Sequence, residues 1–183
     1  MRKFQAFVFL VIFLSILTSC GAKRRTIGSA SSSKVFEHSG KASRADVKSY
    51  YADLLATNPK NLNADLYEYI DEWMGSPHRL GGQQKDGIDC SGFVGMLYQN
   101  VYRKNLPRSS RNMAEVIKRK YDDQLKEGDL VFFSFGGKAI DHVGIYLHND
   151  RFVHVSTKLG VVISNLKDTW YYKYLTRCGT PEI

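Results

Sequence analysis

The chain has 183 residues, room for one ordinary globular domain with appendages and too little for two full domains. Hydrophobic residues at 43% and aromatics at 13% exclude a wholly disordered chain, because that much apolar surface can offset chain entropy. The formal net charge of +8 comes with no nucleic-acid motif, and much of it is local: Lys23, Arg24, Arg25, Lys34, Lys41 and Arg44 precede the predicted domain and Lys48 stands at its start, a basic stretch suited to an anionic membrane surface or wall, or simply solvated.

In chain order, residues 1–19 read as a lipoprotein signal peptide. Arg2 and Lys3 open it, and an apolar run from Ala6 to Leu14 follows, too short to span a membrane comfortably. Leu17-Thr18-Ser19-Cys20 then resembles the bacterial lipobox, which makes Cys20 the expected lipidation site and new N-terminus. Acyl chains at Cys20 anchor a protein to a membrane without spanning it, so the expected location is the bacterial cell envelope, on the inner or the outer membrane. Residues 20–44 are rich in Ser, Gly, Lys and Arg and read as a flexible basic linker; the domain is expected over 45–183.

Val47, Tyr50, Tyr51, Leu54 and Leu55 recur at helical spacing before Pro59, and Asn63 is placed to cap a second helix carrying Leu66, Tyr67, Ile70, Trp73 and Met74. Gly75, Pro77, Gly81, Gly82 and Gly87 punctuate a loop, after which Phe93, Val94, Leu97 and Val101 have the spacing of a buried helix face. Pro107 and Ser109 open a short helix with Met113, Val116 and Ile117 on its apolar side. Leu130 to Phe135, Val143 to Leu147, Phe152 to Ser156, Val161 to Ser164 and Trp170 to Arg177 read as strands of an antiparallel sheet. Helices first and strands afterwards predict an α+β fold.

Amide attack needs a thiolate, a base, a group that orients the base, and oxyanion donors. Cys90, in Asp89-Cys90-Ser91-Gly92, sits at a predicted helix start, where N–H groups favour negative charge and are expected to lower the thiol pKa. The base candidates are His142 and His154. A two-residue loop at Asn149-Asp150 pairs Ile145 with His154 and breaks the apolar face; an odd loop from His148 to Asp150, or an equivalent bulge, gathers Val143, Ile145, Leu147, Val153 and Val155 on one side. His142, Tyr146, His154 and Ser156 then share the other, with the two histidines as diagonal neighbours about 7 to 8 Å apart at the backbone.

The strings YEYIDEWMGSPHRLGG, GIDCSGFVGMLY, LPRSS, EGDLVFF and DHVGIYLHNDRFVHVS, in this order over roughly residues 63–177, resemble the NlpC/P60 family of cell-wall cysteine peptidases, and within it the small lipoprotein murein endopeptidases. The resemblance implies a papain-like fold with the nucleophile at a helix N-terminus. It implies Cys90 as nucleophile, His142 as general base and His154 as the residue orienting His142, with no cofactor. It also implies peptidoglycan stem peptides as substrate, cut at D-Ala–diaminopimelate or D-isoglutamyl–diaminopimelate bonds. His78 stands in PHRLGG where many relatives carry tyrosine, and the resemblance makes it, with Asp89 and Ser91, a substrate-binding candidate.

Other readings compete. A Cys90–Cys178 disulfide would make Cys90 structural. His142, His148 and His154 recur every six residues and invite a metal site with Cys90, although the spacing matches no recognised zinc motif and no metal is expected. A related cysteine amidase or acyltransferase would use the same three residues, and a non-enzymatic wall-binding lipoprotein would not need them. Trp170, Tyr171, Tyr172 and Tyr174 could stack on sugar rings, but a closing strand packed on the sheet explains them as well, and they carry no binding assignment.

Overall fold

The computed structural model describes residues 43–183. The expected signal peptide, Cys20 and nearly all of the expected linker lie outside these residues. Among the described residues, no helix is long and apolar enough to cross a membrane.

Helix α1 spans Arg44–Leu54 and starts at a reciprocal cap, with Ser43 Oγ accepting from the Asp46 N–H and the Ser43 N–H donating to the Asp46 carboxylate. Asn58 caps a single 3₁₀ turn at Pro59–Asn61, and Asn63 caps α2, Ala64–Trp73, which buries Leu66, Tyr67, Ile70 and Trp73. A two-strand hairpin, β1 (Gln83–Gln84) and β2 (Gly87–Ile88), leads into α3, Cys90–Leu97. After Leu97 the helix widens into a π turn, Tyr98–Tyr102, and Arg103 closes it in the left-handed region at φ 59°.

The remaining strands are β3 (Ile117–Arg119), β4 (Leu130–Phe133), β5 (His142–Tyr146), β6 (Arg151–Ser156), β7 (Gly160–Asn165) and β8 (Leu175–Pro181). They form one antiparallel sheet in the order β3-β8-β4-β5-β6-β7. Helices α1 to α3 cover one face, packing on Leu130, Phe132, Val143, Ile145, Val153 and Val155. With helices on an antiparallel sheet, the α+β expectation holds.

Two elements differ from expectation. The aromatic run predicted as the closing strand folds first as helix α5, Thr169–Tyr174, and only then as β8. Aromatic residues have strand propensity, but here Tyr171 and Tyr174 pack beneath the sheet on a second core of Val131, Phe133, Tyr146, Phe152, Leu166 and Cys178. The short helix expected through Ile117 is a single turn, α4, Ser110–Met113; Ile117 instead begins β3, pairing with Pro181 on β8. Ladder bonds to β8 outweigh the helical spacing of Met113, Val116 and Ile117.

Candidate active site

The hairpin β5–β6 has the parity its alternation demands. Gly144 pairs with His154, Ile145 with Val153 and Tyr146 with Phe152. Asn149 and Asp150 both take left-handed φ values, 50° and 59°, and the Arg151 N–H donates to the His148 carbonyl, closing a tight turn. The Leu147 N–H also bonds the Arg151 carbonyl, so Leu147 and His148 together oppose Arg151 and supply the odd residue that keeps both histidines on one face.

His142 Nε2 lies 2.9 Å from His154 Nδ1, with the rings nearly perpendicular at 87°. Gly144 makes this diagonal approach possible: a Cβ there would lie 2.7 Å from Phe152 Cδ2 and 2.8 Å from the Val153 carbonyl oxygen. Phe133 and Phe135 flank the His142 ring, and Phe152 stacks on His154 at 4.8 Å. His154 is buried, its far nitrogen Nε2 lying 3.0 Å from Ser164 Oγ and 3.3 Å from the Tyr171 hydroxyl. Neither Ser164 nor Tyr171 was singled out from the sequence, because only pairing of β7 and folding of α5 bring them to His154.

Asp89 sets the other half of the site. Its carboxylate caps α3 by accepting the Gly92 N–H at 2.6 Å, fixes the glycine loop by accepting the Gly81 N–H at 2.8 Å, and receives both terminal nitrogens of Arg108 at 3.0 and 2.8 Å. Ser91 donates to the same carboxylate and accepts from Arg108 at 2.7 Å. Burial alone would raise the Asp89 carboxyl, but Arg108 and the Gly92 N–H outweigh it and hold it below the usual range. Both oxygens of Asp89 are therefore committed to internal partners, whereas Ser91 borders a surface hollow with Gln83, Met96, Gln99 and Arg108. Arg108, in LPRSS, received no role from the sequence; its partner Asp89 lies 19 residues away.

Cys90 opens α3, as expected, packed against the core that includes Val143, the residue after His142, and the backbone N–H groups of Val143, Ser91 and Cys90 itself are the donors that favour its thiolate. The β5–β6 ladder stops at Gly144–His154, so Val143 lies beyond its paired end. The expected lowering of the thiol pKa is overturned: burial raises it, the Asp89 carboxylate adds to the rise, and the N–H donors offset only part. Burial likewise pushes both imidazoles below the histidine range, helped at His142 by the nearby His78 and opposed by Asp141; at His154 the charge of His142 adds to burial. The resting pair is thus a neutral thiol and a neutral imidazole. His78 is half-buried, bridged through its backbone to Ile88, two residues before Cys90.

Geometry bears on the disulfide reading. Both Cys90 and Cys178 are free, and Cys178 belongs to the core on the sheet face opposite α3, its sulfur donating to the Lys120 carbonyl. Among the described residues, no group of three His, Cys, Asp or Glu side chains is arranged to hold a metal ion. His148 turns away from the pair to meet Glu127 at 3.0 Å.

The sequence model of the NlpC/P60 family matches residues 75–180, a span that contains Cys90, His142 and His154. The chain is 39% identical over 113 residues to a murein DD-endopeptidase/LD-carboxypeptidase of Escherichia coli K12, covering 62% of this chain and 60% of that relative's length. It is 40% identical over 111 residues to a probable endopeptidase NlpC of the same strain, covering 60% of this chain and 72% of that one. An NlpC/P60 family protein of Bacillus cereus superposes with a TM-score of 0.59 at 25% identity, over 64% of this chain and 39% of the other. Because the match spans more than half of the chain, the chain belongs to the NlpC/P60 family.

Proposed function

We propose that this protein is a cysteine peptidase of the cell envelope that hydrolyses amide bonds in peptidoglycan stem peptides or their crosslinks. The observation that carries the reading is one arrangement: Cys90 opens α3 and packs against the core that includes Val143, next to a histidine whose Nε2 is held at 2.9 Å by a second histidine. The murein DD-endopeptidase name of one relative favours peptidoglycan as the substrate and the D-Ala–diaminopimelate crosslink as the bond.

With His154 on its Nε2, His142 offers Nδ1 to the thiol. Proton transfer from Cys90 to that nitrogen accompanies attack of sulfur on the carbonyl carbon, and the first-turn N–H groups of α3 receive the oxyanion. Collapse expels the amine, which takes the imidazolium proton. His142 then removes a proton from water as it attacks the thioester, releasing the acid and restoring the thiol. His154 keeps its partner ring oriented throughout. His78 lines the site from the Ile88 side and is a second oxyanion donor; Ser91 contacts the stem peptide from the neighbouring hollow, while Asp89 acts through Arg108 and the helix cap. Lipid at Cys20 holds the domain at the membrane near its substrate.

Digestion of defined peptidoglycan followed by mass spectrometry tests the reading. Cys90→Ser and His142→Ala are expected to abolish soluble fragments without loss of fold, and undiminished release by either defeats the assignment. Products carrying an acyl adduct would identify a transferase, and intact wall with bound protein a binding module.

A further inference from the structure

We propose that Ser164 and Tyr171 are positioning residues that select the productive tautomer of the histidine pair through the far nitrogen of His154, an inference that rests on the peptidase reading above. A neutral imidazole carries one proton on one of two nitrogens. If His154 held its proton on Nδ1, it would donate to His142 Nε2 across 2.9 Å, and the proton of His142 would then sit on Nδ1, facing the thiol as a donor and useless as a base. With the proton of His154 on Nε2, its Nδ1 accepts from His142 Nε2–H and leaves the Nδ1 lone pair of His142 free. The choice is therefore made at His154 Nε2, on the side away from the chemistry.

Two hydroxyl oxygens converge there, Ser164 Oγ at 3.0 Å and the Tyr171 hydroxyl at 3.3 Å. One nitrogen lone pair can accept from a single hydroxyl, whereas one N–H can be shared between two oxygens. Ser164 Oγ and the Tyr171 hydroxyl also lie 3.4 Å from each other, so the two oxygens cluster around the one nitrogen. His154 is 2% exposed, so water does not readily substitute for either partner. Ser164 comes from β7 and Tyr171 from α5, which ties the tautomer to elements outside the hairpin that bears the histidines.

Long-range proton–nitrogen NMR on the full chain reads the tautomers directly and needs no turnover. Wild-type protein is expected to show Nε2–H on both His142 and His154; Nδ1–H on His154 overturns the proposal without any variant. In Ser164→Ala/Tyr171→Phe, a Nδ1–H population is expected on His154, with kcat lowered by roughly ten-fold and KM little changed, the scale of one lost buried hydrogen bond. Ser164→Thr keeps the hydroxyl and is expected to keep the Nε2–H signal and most of kcat. A folded double variant with wild-type tautomers and kcat also overturns the proposal. Activity surviving in Cys90→Ser would instead defeat the peptidase reading and leave the tautomer result legible.

Discussion

Gly144 pairs with His154 on the face that also holds His142, and a side chain there would press on Phe152, the Val153 carbonyl and the Cβ of His154. Gly144→Ala would drive a methyl group to 2.8 Å from the Val153 carbonyl, a backbone atom that cannot swing aside. The expected result is about 1–3 kcal/mol of lost stability and a fall in kcat larger than any change in KM, measured by urea denaturation and steady-state kinetics. Burial of the pair also sets a pH dependence. Because the imidazole is depressed, it stays neutral and competent below the ordinary histidine value of about 6.5. The acid limb of kcat/KM is therefore expected below pH 6, and a limb at or above 6.5 contradicts the neutral-pair description. Stability carries the same sign: below about pH 6.5 the unfolded chain takes up protons that buried His142 and His154 refuse, so stability falls as pH falls toward their depressed values.

The start of α3 depends on one carboxylate. Asp89 caps the helix, fixes Gly81 and grips Arg108, and its lowered pKa gives stability present above the unfolded aspartate value and lost as pH falls through the folded one. Asp89→Asn is expected to cost about 1–3 kcal/mol near neutral pH, and less as the medium is acidified, in denaturant titrations across pH. Alternation along β5 and β6 was enough to place His142 and His154 on one face and to require an odd residue at the turn, because a strand's period of two admits no other solution. Helices α1 and α2 were legible from apolar spacing and from Ser43 and Asn63 being good caps only in part: Asn63 stood out, whereas Ser43 lay within the stretch read as linker. Helix α5 was not legible, since Trp170-Tyr171-Tyr172 has strand-like composition and its helical state comes from packing Tyr171 under Phe152 and His154. The direction of the thiol shift was equally hidden: a helix start advertises N–H groups locally, but burial is a property of the assembled core.

Across the whole molecule, the histidine hairpin is tied to the helical side at its turn. Glu127 accepts the Asn63 N–H at 3.1 Å and the Tyr67 hydroxyl at 2.8 Å, and meets His148 at 3.0 Å, while Asn149 donates to the Leu55 and Ala56 carbonyls. These bonds join α1, α2 and the β5–β6 turn at the end of the hairpin remote from Cys90. Glu127→Ala, which leaves the Tyr67 hydroxyl and Asn63 N–H without that acceptor, is expected to cost about 2–3 kcal/mol and several degrees of Tm while kcat changes little. A large loss of kcat with unchanged Tm would show that the turn governs the site and not the fold.

The separation of the two thiols by the sheet has a chemical consequence for the lifetime of the protein. A neutral sulfur reacts slowly with peroxide, so Cys90 is protected at rest. Once it is oxidised to a sulfenic acid, however, Cys178 on the far side cannot condense with it, and among the described residues no other thiol is present to intercept the passage to sulfinic acid. Inactivation by oxidant is thus slow to begin, and rescue after that first step falls to a thiol from outside the described domain.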